Sequence, residues 1–277
     1  SSRRRHTRYW RDWSSDVCSS DLNDYCIKII LFYSDMNYSI SKPYSEIEIM
    51  MKLTNFITSN KTPHINIPLI YSYCNNFSKY IKNINLSSHI KLNNKINSGI
   101  LKDNGLFIIS DWYNYGNLSS YSIKNILNEL EWKIIIFKII FTLVIIQDKY
   151  PSFRHNDLNI NNILIKKSNN ISNSIYNYNN TIYTIPNVGY DIYINDFEYS
   201  NICDIIINNE IKFERMSMEY GIRNNQNRYY DIHYFLNSLF FSHKLSENIK
   251  KFIKKYIPLE YLSENNKNII SFRLIPD

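Results

Sequence analysis

His155-Asn156-Asp157-Leu158-Asn159-Ile160-Asn161-Asn162 sets a carboxylate and a carboxamide five positions apart. On a loop, both can point into the same site. In phosphoryl transfer the carboxylate orients the attacking hydroxyl and accepts its proton, while the carboxamide oxygen binds a metal. A second carboxylate, Asp196 in Asn195-Asp196-Phe197-Glu198, follows later in the chain. Magnesium needs hard oxygen ligands and usually takes only one or two from the protein, which suits Asp196 to an ion bridging ATP phosphates.

The elements that must position these groups read as strands first and helices later. Tyr25 to Phe32 is a β-type run, and Tyr44 to Ile57 carries apolar residues at 47, 50, 53, 56 and 57, a helical face. Ile65 to Tyr73 and Leu106 to Trp112 are strand-like, and the polar stretch Ser78 to Ser98 reads as an excursion from the sheet. Trp132 to Tyr150 is a long apolar helix that should stop before Pro151. Ile163 to Ile165 and Tyr190 to Ile194 flank an Asn/Ser-rich insert, which predicts a hairpin with a mobile tip. Asp231 to Phe241 and Glu247 to Tyr256 close the chain as helices, and no internal repeat is visible.

His155-x-Asp157-x-x-x-x-Asn162 followed by Asp196-Phe197 resembles the catalytic loop and metal-binding motif of the protein-kinase-like superfamily. The ordered set carries the resemblance: Lys28 on a strand, Glu46 on the next helix, then Asp157, Asn162 and Asp196 after a long buried helix. It implies an α+β, two-lobed fold. Residues 23–113 would form a small β-rich N-lobe, incomplete because its Gly-rich hairpin is missing, and 114–277 a larger helical C-lobe with catalytic loop 155–162. It further implies that ATP and Mg2+ are the cofactors, with Asp157 the catalytic base and Asn162 and Asp196 the metal ligands.

Lys28, in Tyr25-Cys26-Ile27-Lys28, matches the strand lysine that contacts the α- and β-phosphates, and Glu46 the helix glutamate that pairs with it. Glu48 competes but falls about 200° around the helix. The frame Glu46-x-x-Ile49-Met50-x-x-Leu53 favours Glu46. Leu106 to Leu118 is similar to the strand and hinge over the adenine, which implies that backbone groups of Asp111, Trp112 and Tyr113 bind the base. Asp231 resembles the aspartate that anchors the catalytic loop's backbone, a structural role. Thr62 to Pro68, Phe153 to Leu158 and Asn227 to Asn237 resemble the divergent serine/threonine-protein-kinase-like proteins of large DNA viruses, a match running from Tyr25 to about Ser242.

The departures are informative. No Gly precedes Gly99, so the phosphate-covering glycine loop is absent. Asn156 replaces the Arg of H-R-D, removing the cation that a phosphorylated activation loop would pair with. Asn159 stands where kinases acting on Ser or Thr usually carry Lys, Glu198 replaces the Gly of D-F-G, and no A-P-E follows. The 34 positions from Asn162 to Asp196 require the inserted hairpin.

Composition sets outer bounds. The chain has 277 residues, 44% hydrophobic and 21% charged, enough to bury a core. Its net charge is +7, and the first 22 residues hold five Arg and three Asp, leaving a mild +5 elsewhere that is no nucleic-acid signature. There is no Ala, and Asn, Ile and Lys abound, as in a coding sequence rich in A and T. Cys18, Cys26, Cys74 and Cys203 lie far apart without zinc spacing, which fits a reducing, cytoplasmic setting, the host cytoplasm if the protein is viral. The longest apolar run, Ile134 to Ile146, is interrupted by Lys138 and too short for a bilayer, so no membrane partner is expected. Ser1 to Leu22 differs in composition from the rest and resembles translated sequencing-adapter read-through, to be set aside as unstructured, with the natural chain beginning upstream.

Three functions fit these residues. The first is an ATP-dependent kinase acting on Ser or Thr hydroxyls of a protein. The second is a small-molecule kinase, since His155-Asn156-Asp157 with Asp196-Phe197-Glu198-Tyr199 also resembles choline and ethanolamine kinases. The third is a pseudokinase serving as a binding module.

Overall fold

The computed structural model describes residues 15–17, 25–34, 42–81, 89–170, 172–203, 205–206, 208, 221–242, 245–262, 269–270 and 273–274. They combine helices and strands, and the chain divides into two compact units. One holds the described residues up to Tyr44 together with Ile67–Trp112; the other holds Ser45–Asn66 and Tyr113 onward.

The first unit is built on an antiparallel sheet of order β1-β2-β4-β3, from β1 (Ser15–Val17), β2 (Tyr25–Tyr33), β3 (Pro68–Asn75) and β4 (Leu101–Asp111). β4 is the spine, pairing with β2 from Tyr25↔Asp111 to Tyr33↔Leu101 and with β3 on its other side. Gly105 sits where the backbones crowd: a Cβ there would collide with the Ile30 carbonyl and Leu31. The polar stretch read as an excursion contains two short helices, Phe77–Ile81 and His89–Asn97. Phe77, Leu92 and Ile96 pack with Ile27, Ile29, Leu31 and Phe107 of the sheet, so the excursion returns to cover an apolar face. Ser15–Val17 departs from the expectation of an unstructured leader. It pairs antiparallel with Val17↔Ile27 and Ser15↔Ile29, because β2 otherwise presents a row of unpaired backbone groups. The rest of 1–22 lies outside the described residues.

The second unit takes most of helix α1 (Lys42–Thr58), in which Ile47, Met50, Leu53 and Phe56 of the expected face are buried, Ile57 is half-buried, and Ile49, outside that face, is buried too. The sequence boundary after residue 113 left this helix with the N-terminal segment. The segment after it, however, is bonded into the second unit: Thr62 Oγ1 meets Thr142 Oγ1 at 2.9 Å, and Asn66 N–H donates to the Ile194 carbonyl. Helix α2 (Leu118–Lys124) precedes the long α3 (Glu129–Lys149), which starts at a reciprocal Asn128–Glu131 capping box. Ile134, Ile135, Ile136, Ile139, Leu143 and Ile146 are all buried, so protein covers most of the circumference of α3 and leaves a partly exposed stripe along Lys133, Phe137, Ile140 and Val144. Lys138, in the middle of that run, is buried as well, and its Nζ reaches Asp191 at 2.6 Å. No helix among the described residues is long and apolar enough to cross a membrane.

Beyond α3 come β5 (Phe153–Arg154), β6 (Ile163–Lys167), the hairpin β7 (Ser174–Tyr178) and β8 (Thr181–Ile185), β9 (Tyr190–Ile194) and β10 (Asn201–Ile202). β6 pairs with β9 and β5 with β10, both antiparallel. Helices α4 (Tyr230–Ser242) and α5 (Glu247–Tyr256) follow, then the short pair β11 (Ile269–Ile270) and β12 (Arg273–Leu274). The hairpin turns on Asn179 and Asn180, both at positive φ, a conformation that Asn tolerates better than most residues.

Candidate active site

Between β5 and β6 the chain runs His155–Asn162 as a loop ending in a 3-10 turn over Ile160–Asn162. Its backbone is fixed from below by Asp231 in the first turn of α4. The carboxylate accepts the His155 N–H at 2.7 Å and the Asn156 N–H at 2.9 Å, and all three residues are fully buried. Burial pushes the Asp231 carboxyl up, while His155 and the two backbone donors pull the other way. Asp231 thus occupies the anchoring position that the sequence resemblance implied.

Asp157 and Asn162 meet directly. Asn162 Nδ2 donates to the Asp157 carbonyl at 2.8 Å and to its Oδ2 at 3.0 Å. With its nitrogen turned to Asp157, the Asn162 amide keeps its oxygen for another partner. The β6–β9 pair then brings the second carboxylate close, since Ile163 is opposite Ile194 and Asn195 N–H donates to the Asn162 carbonyl at 2.9 Å. Asp196 follows at φ 65° and heads the 3-10 turn Phe197–Tyr199 without capping it. A left-handed Asp costs energy, and such strain collects at functional positions. His155 closes the loop, with Nε2 3.0 Å from the Asn195 carbonyl and its ring 5.1 Å from that of Phe197.

Asn156 has a task that the sequence did not disclose. It too is left-handed, at φ 65°, and its Nδ2 donates to the Tyr199 carbonyl and to Asn201 Oδ1, both at 2.9 Å. Where H-R-D would put a cation, this chain ties the loop to the segment after Asp196 with an amide. Arg154, one position before His155, is also fully buried, its guanidinium 3.8 Å over the Tyr230 ring and its Nη1 bonded to the Asn225 carbonyl. Arg273 is a second residue missed by sequence reasoning: it forms an ion pair with Asp157. A contact across 116 positions leaves no local signal.

Glu46 is 2% exposed on α1, whereas its competitor Glu48 is exposed to solvent, as the 200° separation required. Tyr113 belongs to the same unit as the loop and donates its hydroxyl to Asn66 Oδ1 at 2.8 Å. Lys28, half-buried on β2 with Asp16 and Ile108 as its strand neighbours, lies in the first unit, as do Asp111 at the end of β4 and Trp112. The structure therefore brings together Asp157, Asn162 and the Asp196 turn. Among the described residues no group of three or more His, Cys, Asp or Glu side chains could hold a metal.

The sequence profile of the poxvirus serine/threonine protein kinases matches residues 126–274, over half of the chain and all of the loop, the Asp196 turn, Asp231 and Arg273. The chain belongs to the poxvirus serine/threonine protein kinase family. Two proteins of Acanthamoeba polyphaga mimivirus, each named as a serine/threonine-protein kinase, are similar to it. One is 29% identical over 248 residues, covering 80% of this chain and 53% of the relative; the other is 33% identical over 144 residues, covering 47% and 36%. The chain thus spans about half the length of the first relative and about a third of the second. This is a viral kinase-like protein, as its motifs implied.

Proposed function

We propose that the protein is an ATP-dependent phosphotransferase that moves the γ-phosphoryl group to a Ser or Thr hydroxyl of a protein. One observation carries the reading: Asp157 and Asn162 share two hydrogen bonds on a loop whose end is bonded to the residue preceding Asp196. Asp157 holds the acceptor hydroxyl and takes its proton as the oxygen attacks. Asn162 Oδ1 and the Asp196 carboxylate, both hard oxygen donors, are the groups that would hold Mg2+, which when bound neutralises charge on the phosphates. Asp231 keeps the loop backbone from shifting as the proton moves. Lys28 is assigned to the α- and β-phosphates, Glu46 to pairing with it, and the backbone of Asp111 to Tyr113 to the adenine.

Asp157→Asn should lower turnover by about 10²–10⁴ while leaving nucleotide affinity largely intact. Radiolabelled ATP offered with a basic protein, a pool of Ser/Thr peptides, and choline or ethanolamine identifies the acceptor. Label in protein supports the proposal; label in the amine replaces it with a small-molecule kinase, and no label with a binding module. Asp196→Asn should weaken magnesium-dependent nucleotide binding in a thermal-shift titration, and an unchanged magnesium dependence would remove Asp196 from the metal site.

A further inference from the structure

Arg273 reaches the catalytic loop from the short strand β12, near the end of the family-matched region. Its Nη2 donates to Asp157 Oδ1, and its Nε to the Asn156 carbonyl at 3.3 Å. The guanidinium carbon lies 4.2 Å over the ring of Tyr234, whose hydroxyl is directed at the same Oδ1 from 3.4 Å. The Arg273 side chain is 9% exposed and that of Asp157 19%, so the ion pair is shielded from water and salt. Burial opposes the charge on Arg273, but Tyr234, Asp157 and Tyr230 outweigh it and raise its pKa above the ordinary arginine value. The cation is therefore permanent.

Two features give this contact a role beyond packing. Asn159, where related kinases usually carry Lys, contributes no charge and is used up locally: its Nδ2 donates to the Asp157 carbonyl at 3.1 Å and its Oδ1 accepts the Asn161 N–H at 2.9 Å. A carboxylate offers about four acceptor sites, two on each oxygen. Among the described residues, Arg273 and Tyr234 occupy those of Oδ1, and Asn162 takes one on Oδ2. One site remains, on Oδ2.

We propose that Arg273 is the positioning residue for Asp157: by holding Oδ1 it fixes the carboxylate's rotation and leaves Oδ2 as the oxygen that receives the substrate proton. The cation missing at position 159 is supplied from the far end of the chain. This rests on Asp157 being the base. An Arg in this place restrains the carboxylate without blocking it, because the accepting lone pair lies on the other oxygen.

The test compares Arg273→Gln and Arg273→Lys with Asp157→Asn in the full chain. Gln keeps a side-chain stem over Tyr234 but removes the charge, and should lower kcat about 10–100-fold with KM for ATP within about threefold, the cost of a base displaced by a fraction of its reach. Lys should restore a large part of the loss. Without any turnover measurement, amide hydrogen exchange at Asn156 and Asp157 should quicken about tenfold in Arg273→Gln, and its shift in Tm should be non-additive with that of Asp157→Asn. A kcat in Arg273→Gln equal to or above that of the parent, with Asp157→Asn inactive, overturns the proposal and makes Arg273 an inhibitory or passive contact. Unchanged exchange protection also overturns it. If Asp157→Asn retains full turnover, the proposed function fails and this assignment with it.

Discussion

The loop His155–Asn162 and the hairpin Ser174–Ile185 lie on either side of β6, and they are held in opposite ways. In the loop, His155 and Asn156 have no exposure at all, and their backbone N–H groups, the Asn156 side-chain nitrogen and the Asp157 carboxylate all have named partners. The hairpin leaves Ile175 and Ile182 73% and 66% exposed and docks chiefly through Tyr176. That ring packs 4.9 Å from Phe141 and 5.3 Å from Phe137, and its hydroxyl lies 2.6 Å from His64 Nε2. Many buried polar bonds fix a backbone to within tenths of an ångström; a few ring contacts, those of Tyr176 and of Tyr183 on Phe137, only keep a segment in place. The difference separates the segment that holds the candidate groups in fixed positions from one that the fold only tethers.

The strongest way to break the contrast is Asp231→Ala. It leaves two buried N–H donors without an acceptor and should cost about 3–5 kcal/mol in urea unfolding, with turnover lost in the protein that remains folded. A loss below about 1 kcal/mol would show that the loop is held by something else.

The hairpin's anchor should respond to pH. His64 Nδ1 lies 3.0 Å from the Ile192 carbonyl and must carry the proton there, so Nε2 accepts from Tyr176. Burial first, then the Lys138 cation, push the His64 pKa down to about 3, with Asp191 and the Ile192 carbonyl opposing. Burial likewise raises the Tyr176 hydroxyl, which keeps it a donor. The unfolded chain therefore binds a proton near pH 6.5 that the folded chain refuses. Stability is full above that pH and falls by up to about 1.4 kcal/mol per pH unit as pH drops toward 3. His64→Gln should flatten this part of the urea-midpoint profile relative to the parent, and an identical slope in both would place the titration elsewhere.

Tyr176→Phe keeps the ring and removes the hydroxyl. The buried His64 nitrogen loses its donor, for a cost of about 1–3 kcal/mol, and exchange protection should fall over 174–185 while 155–162 stays protected. Least of all, Ile182→Thr on the exposed face should change stability by no more than about 0.5 kcal/mol, and turnover not at all. A larger effect would mean that this face is covered in the working protein.

The sequence made the candidate groups legible because the chemistry asked of them restricts residue type, a carboxylate to accept a proton and a carboxylate or carboxamide oxygen to face a cation, and because their order and spacing along the chain form a motif. The long helix was legible for a similar reason, since an apolar run of that length, interrupted only by Lys138 and Thr142, has few other uses. Arg273 was not, because an ion pair across 116 positions depends on how β12 meets α4 and leaves no periodicity to read. Asn156 was read as a loss of charge, whereas its value lies in tolerating a left-handed backbone while bonding Tyr199 and Asn201. Helix geometry required only that Glu46 and Glu48 face opposite sides; the frame Glu46-x-x-Ile49-Met50-x-x-Leu53 chose between them, and Glu46 is the buried one. Ser15–Val17 escaped notice because composition says nothing about which strand edge is open.

The last rung of the β6–β9 ladder, Lys167↔Tyr190, has a consequence for how this protein can diverge. Everything between these partners leaves and returns at one point, so residues 168–189 behave as a detachable side branch. Doubling or halving such a branch changes closure entropy by only about 0.6 kcal/mol. Replacing it with a short turn would forfeit the Tyr176 anchor yet keep Ile163 opposite Ile194, and with them the alignment of Asn162 and Asn195. Insertions of quite different lengths can therefore accumulate between the carboxamide and the second carboxylate while the spacing that matters in three dimensions does not change.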